Sequence, residues 1–421
     1  MFRFFSTVPR KVHLCKWHRN STLNNLRTFL SQAYYCDEVW DRRLNSPLLQ
    51  KVNLDELYYE LDQRYQKTRQ ISAVDVDIFT NAVKTSSYMD EMLDLTHKLR
   101  LSADSCNTLD STPHAVVRNL MKYDPTELPN IVDDRLNFGI FLDYHTANLL
   151  LDKYWKDKNY AAGARVAQQF MLQEEMEHPA TKALSLLHCY NYLLKPEGWS
   201  VPEPPTEPEE EVKIRVKYLR NPYDDDHFDL REPNKIVGKS LAMFTKQSKD
   251  PLNKSLNLLG WALYEKPDKL KRSLEECKSN NIEVYKEIVD QIPESLRDEL
   301  QGVKTESANV QQILEDNVKT AVQKTSESDI AEQCKTFEKW ETERQAALQE
   351  QKQRLSVAQR LSNIEGLKKE LEEKETKLWF FENEEKIELG IEAKKVYYPK
   401  RWFGNKKKPR KVDEGYVPPE I

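Results

Sequence analysis

The sequence predicts an all-α protein in which helical hairpins stack into a solenoid, followed by a long helix with coiled-coil character and a basic, extended tail. Three observations carry that expectation. Only ten glycines occur in 421 residues, whereas Leu, Lys, Glu, Gln and Ala are plentiful; glycine is costly inside helices and is what sheet proteins use at turns. Between Leu54 and Lys195 apolar residues recur mostly at spacings of three and four, as in Met89, Met92, Leu95 and Leu99, which is the rhythm of one buried helix face. From Cys334 to Ile391 there is no proline and abundant Glu, Gln, Lys and Arg, so one long helix is the natural state.

Residues 1–36 carry Arg3, Arg10, Lys11, Lys16, Arg19 and Arg27 and no acid; the first acidic residue is Asp37. With Ser, Thr and large apolar residues interspersed, this is the pattern of a mitochondrial transit peptide, and it places the protein in the matrix. Processing is expected near Arg27 to Ala33. A basic arm that binds nucleic acid is the other reading.

Residues 37–195 are expected to form the helical hairpins. Apolar stretches there end in Lys84, Lys122, Lys156 and Lys195, separated by 38, 34 and 39 residues, the length of one helix-turn-helix unit whose neighbours bury each other's apolar faces. Residues 196–232 open with five prolines and six glutamates up to Glu211 and read as a linker, since such a stretch neither continues a helix nor buries a core. Val212–Leu219 alternates apolar and basic residues as an isolated strand or an extended docking arm would, and Asp224, Asp225 and Asp226 read as an acidic surface loop.

Helical rhythm returns over 233–300, punctuated by Pro251, Pro267 and Pro293, each suited to a helix start. Residues 301–333 read as a loose connector or an exposed helix. In the long helix over 334–392, Leu348 and Leu355, then Ile364, Leu371 and Leu378, keep seven-residue steps with a shift between the two sets, compatible with a coiled-coil contact or a solvated helix lying across another protein.

The tail, 393–421, places Lys394, Lys395, Tyr397, Tyr398, Lys400, Arg401, Trp402, Phe403, Lys406, Lys407, Lys408, Arg410 and Lys411 in one short stretch. Cations release counterions from phosphates and aromatics stack on unpaired bases, so these residues are the main candidates for RNA contact. The body between leader and tail is acidic, which argues against wrapping nucleic acid along the whole chain and points to protein neighbours.

Composition also excludes chemistry. No two glycines lie closer than eleven positions, so neither a dinucleotide fingerprint nor a phosphate-cradling loop is built. The six cysteines include no Cys-x-x-Cys pair, which leaves no zinc framework and suits free thiols in a reducing compartment. His188 beside Cys189 sits in a helical Leu-Leu-His-Cys-Tyr context that reads as core packing. No nucleophile, base and orienting group can be assigned by spacing. No enzyme activity, cofactor, metal, small-molecule substrate or membrane span is expected; apolar runs such as Leu258–Tyr264 fall far short of the ~18 residues a bilayer needs.

One hairpin is clearer than its neighbours. Residues 139–173, with Gly139-Ile-Phe-Leu-Asp143, Thr146-Ala-Asn148-Leu-Leu and Tyr160-Ala-Ala-Gly-Ala164, resemble a pentatricopeptide repeat, with Leu142 in place of the family's Pro and Asn159 in place of its usual Gly. That resemblance implies a first helix exposed on a concave groove, and Asn148 as a base-contacting residue; the other reading of an Asn near a helix start is a capping or packing role. Together with Met121-Lys-Tyr-Asp124, Leu184–Tyr190, Val237–Phe244, Leu258–Tyr264 and Phe337-Glu-Lys-Trp340, the chain resembles the small-subunit mitochondrial ribosomal protein number twenty-seven family over most of residues 75–360. The resemblance implies a structural component of the small mitochondrial ribosomal particle that contacts ribosomal RNA and neighbouring ribosomal proteins. The alternative is a free mitochondrial pentatricopeptide protein regulating transcript stability or translation. The basic aromatic tail has no counterpart in that resemblance.

Overall fold

The computed structural model describes residues 28–199, 230–246, 248, 250–297 and 304–394. They fall into two units, 1–347 and 348–421.

In the first unit a 3-10 turn at Gln32–Tyr35 leads through α1 (Asp37–Asp41), a second turn at Arg42–Asn45 and α2 (Pro47–Gln50) to α3 (Leu54–Thr68). The solenoid then runs as hairpins: α4 (Ala73–Ala82) with α5 (Met89–Leu101), α6 (Ser111–Tyr123) with the short α7 (Leu128–Asp133) and α8 (Arg135–Phe138), and α9 (Tyr144–Lys156) with α10 (Tyr160–Gln173). Helix α11 (Pro179–Leu194) packs on α9 and α10, and α12 (Pro233–Thr245) packs on α10 and α11. Thus the block after the Pro/Glu-rich stretch extends the solenoid, through α13 (Pro251–Leu263) and α14 (Pro267–Ser279).

The four lysines of the sequence period mark the ends of α4, α6, α9 and α11: Lys84 lies just past Ala82, Lys122 and Lys156 are in last turns, and Lys195 is a C-cap. A cation there faces the negative end of the helix dipole. Pro251 and Pro267 open α13 and α14, and Pro293 immediately precedes α16 (Glu294–Arg297), because proline's missing N–H costs nothing in a first turn. Helices α12 and α13 cross at glycines: a Cβ on Gly260 would lie 2.6 Å from both Gly238 O and Ala242 N, so their backbones are in contact.

Three features depart from the sequence reading. Within residues 28–36, assigned there to the leader, Leu30, Tyr34 and Cys36 are buried in the core. Two-residue strands β1 (Val284–Tyr285) and β2 (Thr305–Glu306) pair in parallel around α15 (Lys286–Val289) and α16. Finally, α17 (Val310–Ala393) begins at Val310 rather than near Cys334. Of the two readings of residues 301–333, a loose connector or an exposed helix, the helix forms from Val310 onward, but with Val310, Leu314, Val318 and Val322, at steps of four, buried along one face. The expected arm at 212–219 and the acidic loop at 224–226 lie outside the described residues.

One apolar core runs from Leu30 to Val322, and a smaller cluster joins Trp40, Ala115 and Trp340. In the second unit the described residues of α17 are almost all exposed, including Leu355, Leu361, Ile364, Leu371 and Leu378. No described helix is long and apolar enough to cross a membrane.

Candidate nucleic-acid interface

The hairpin over 139–173 forms with substituted caps. Asp143 caps α9 by accepting from the Thr146 amide at 3.1 Å, and Asn159 caps α10 by accepting from the Ala162 amide at 3.1 Å. Asn159 therefore does at the start of α10 what a short polar side chain does best, satisfying an amide the helix leaves unpaired. Gly163 brings α10 against α11: a Cβ there would meet His188 Nδ1 at 2.1 Å.

Helices α4, α6, α9 and α11 pack in series, and in a pentatricopeptide array such first helices would face RNA. Here the chain covers them itself. On α9, Asn148 is fully buried; its amide donates to Tyr34 Oη at 2.8 Å and its carbonyl accepts from Thr181 Oγ1 at 2.8 Å. Tyr34 Oη in turn donates to Asp329 of α17 at 2.9 Å, and His178 Nε2 lies 3.2 Å from the same carboxylate. Asn148 is thus a polar tie between the amino-terminal turn, α11 and α17, not an exposed base reader. This corrects the expectation taken from the repeat.

The same cover continues along the row. Asp77 of α4 has no exposed surface and accepts from Ser111 at 2.5 Å, Thr112 at 2.8 Å and Arg344 of α17 at 2.5 Å. Arg118 of α6 donates to Asp37 at 3.1 Å and to Tyr35 O. His145 Nε2 donates to Tyr34 O at 2.9 Å, and Asp152 of α9 accepts from the amides of Phe29 and Leu30. Asp77 and Asp152 carried a signal that went unused. Each acid is embedded in an apolar helix stretch, Val76-Asp-Ile-Phe79 and Leu149-Leu-Leu-Asp152, and a buried carboxylate requires partners.

A cleft of about 780 Å³ remains beside this cover, lined in part by Arg100, His114, Asp143, His178, Asp329 and Lys339. Burial holds His114 below the usual histidine range, and burial with the neighbouring His114 takes His145 to about 3. Both rings are therefore neutral at physiological pH. His188 and Cys189 are buried; burial lowers the imidazole to about 4 and raises the thiol to about 12, so the pair is core packing. Among the described residues no group of three or more His, Cys, Asp or Glu is placed to hold a metal ion.

The family model of mitochondrial 28S ribosomal protein S27 matches residues 3–301 and 285–370. The chain belongs to the mitochondrial 28S ribosomal protein S27 family. Membership makes it a mitochondrial protein of the small ribosomal subunit, in a family whose role is structural. Its partners are accordingly those of a ribosome. The matched residues of this S27 family member stop at 370, short of the basic aromatic tail. Of the tail candidates, Lys394 is exposed just beyond α17, whereas Lys395, Tyr397, Tyr398, Lys400, Arg401, Trp402, Phe403, Lys406, Lys407, Lys408, Arg410 and Lys411 lie outside the described residues.

Proposed function

We propose that this protein is an integral scaffold subunit of the mitochondrial small ribosomal particle, imported into the matrix, which contacts ribosomal RNA through its basic aromatic tail and neighbouring ribosomal proteins through the exposed face of α17. The observation that carries this reading is the covered row of first helices. With Asn148 and Asp77 engaged by the chain's own segments, the groove that would read a transcript is filled, and RNA contact falls to the cationic segment Lys394–Lys411. Nine cations interleaved with aromatics over that length suit irregular, partly unpaired RNA. The exposed leucines of α17 supply apolar area for protein neighbours.

The test is sedimentation of gently lysed mitochondria expressing the intact chain or a chain ending at Ala393, at moderate and high salt. The intact protein is expected to stay with the small particle at high salt, and the shortened one to dissociate at lower salt, since each lost phosphate contact removes counterion-release affinity. A peak near the top of the gradient at all salts would sink the subunit reading and favour a free RNA-binding regulator. Equal salt resistance of both chains would remove the tail from the RNA contact.

A further inference from the structure

Contact with the folded body begins at a single peptide bond. Thr28 is exposed. One residue later, the Phe29 ring packs on Trp155 with centroids 5.3 Å apart, and the Phe29 and Leu30 amides donate to Asp152 Oδ1 at 2.9 and 3.3 Å. The other carboxylate oxygen accepts from Tyr35 Oη at 2.9 Å and pairs with Lys156 Nζ at 2.8 Å. Asp152 is wholly buried, while Lys156 is about one-third exposed. A buried carboxylate whose one cationic partner is partly in water gains from a second cation, and the nearest place to create one is the Phe29 nitrogen.

We propose that processing cuts the Thr28–Phe29 bond and that the new α-ammonium of Phe29 pairs with Asp152, locking the mature amino terminus onto α9. This rests on the reading of residues 1–27 as an import leader. A matrix endopeptidase catalyses the step, and water is the other reactant. The water oxygen bonds to the Thr28 carbonyl carbon, the C–N bond breaks, and the released amine keeps one proton from water. It takes another from solvent to become ammonium, its ordinary state near neutral pH. Arg27 then stands as the second residue before the cut. A cut after Arg27 would leave the ammonium on exposed Thr28, one residue short of the carboxylate. A cut after Leu30 would remove the Phe29–Trp155 contact and a nearly fully buried leucine.

Two measurements test this. The first is the intact mass and amino-terminal sequence of the protein isolated from mitochondria. A chain beginning at Phe29 is the expected result. Any other processed start overturns the proposal while leaving the import leader standing, and an unprocessed start at Met1 overturns both. The second uses the full-length chain with an engineered protease site that releases Phe29 as the first residue. Cleavage is expected to raise the Tm by about 2–4 °C, and the gain to vanish in Asp152→Asn. If that variant does not fold, acetylation of the cleaved amine, which removes the charge and keeps the chain, is expected to erase the gain. An equal gain with the amine blocked would overturn the ammonium–Asp152 pair.

Discussion

The row of first helices and the second unit are built from the same helix-forming residues, yet they differ in what covers their apolar and charged groups. Along α4, α6, α9 and α11 even polar side chains such as Asp77, Asn148 and Asp152 have no exposed surface, and each is matched by a partner far away in sequence. Within residues 348–393, Leu371 and Leu378 are each 63% exposed and Phe381 is 69% exposed. Helical rhythm alone therefore does not say whether a face is filled. It says that a face exists, and a neighbouring segment decides whether the face becomes core or contact surface.

The sharpest way to break this contrast is Arg344→Ala. It strips the cationic partner from a fully buried Asp77, which should cost about 3–5 kcal/mol, read as a lower denaturant midpoint. The analogous change in the second unit, Arg354→Ala, removes a solvent-exposed pair with Glu350 and is expected to leave the midpoint unchanged.

Acid should separate the regions next. An unfolded histidine titrates near pH ~6.5, whereas burial holds His188 at about 4 and His145 at about 3 in the folded chain. The unfolded state therefore takes up protons first. Stability is full above the unfolded value and declines as pH falls through it toward 4, by a few kcal/mol in total. A thermal melt series across that window is expected to show a falling Tm. His188→Gln should flatten the His188 part of the slope, and an unchanged slope would remove His188 from the account.

Gly260→Ala should cost about 1–3 kcal/mol by overpacking, because the added carbon meets backbone rather than a flexible side chain. Tyr34→Phe removes the hydroxyl shared by Asn148 and Asp329 and is expected to cost about 1–3 kcal/mol, with loosened protection of the 28–36 amides in hydrogen exchange. Smallest of all, Leu371→Glu in α17 should leave the Tm of the isolated protein within error, since the side chain is already in solvent. It should nevertheless weaken retention on the small particle if that face meets a neighbour.

Much of the fold was legible from residue types. Scarce glycine, the three-and-four spacing, prolines at helix starts and lysines at helix ends act within a few residues of chain, where backbone entropy, capping and the helix dipole operate. The hairpin at 139–173 was legible for the same reason. The role of Asn148 was not. A polar residue near a helix start fits a base contact, a cap or a buried tie equally well until its neighbours are known.

What the sequence determined by itself is that this chain is helical, where most of its longer helices lie, and that its charges separate into a basic amino-terminal segment, an acidic body and a basic tail. Only the tertiary structure decided that Leu30, Tyr34 and Cys36 belong to the core, that the helix before Cys334 buries one face, and that the groove is filled. Those outcomes rest on contacts such as Asn148 with Tyr34 and Asp77 with Arg344, separated by 114 and 267 positions. Local propensity carries no information across such distances, and the need to satisfy buried polar groups selects the partner only once the chain has packed.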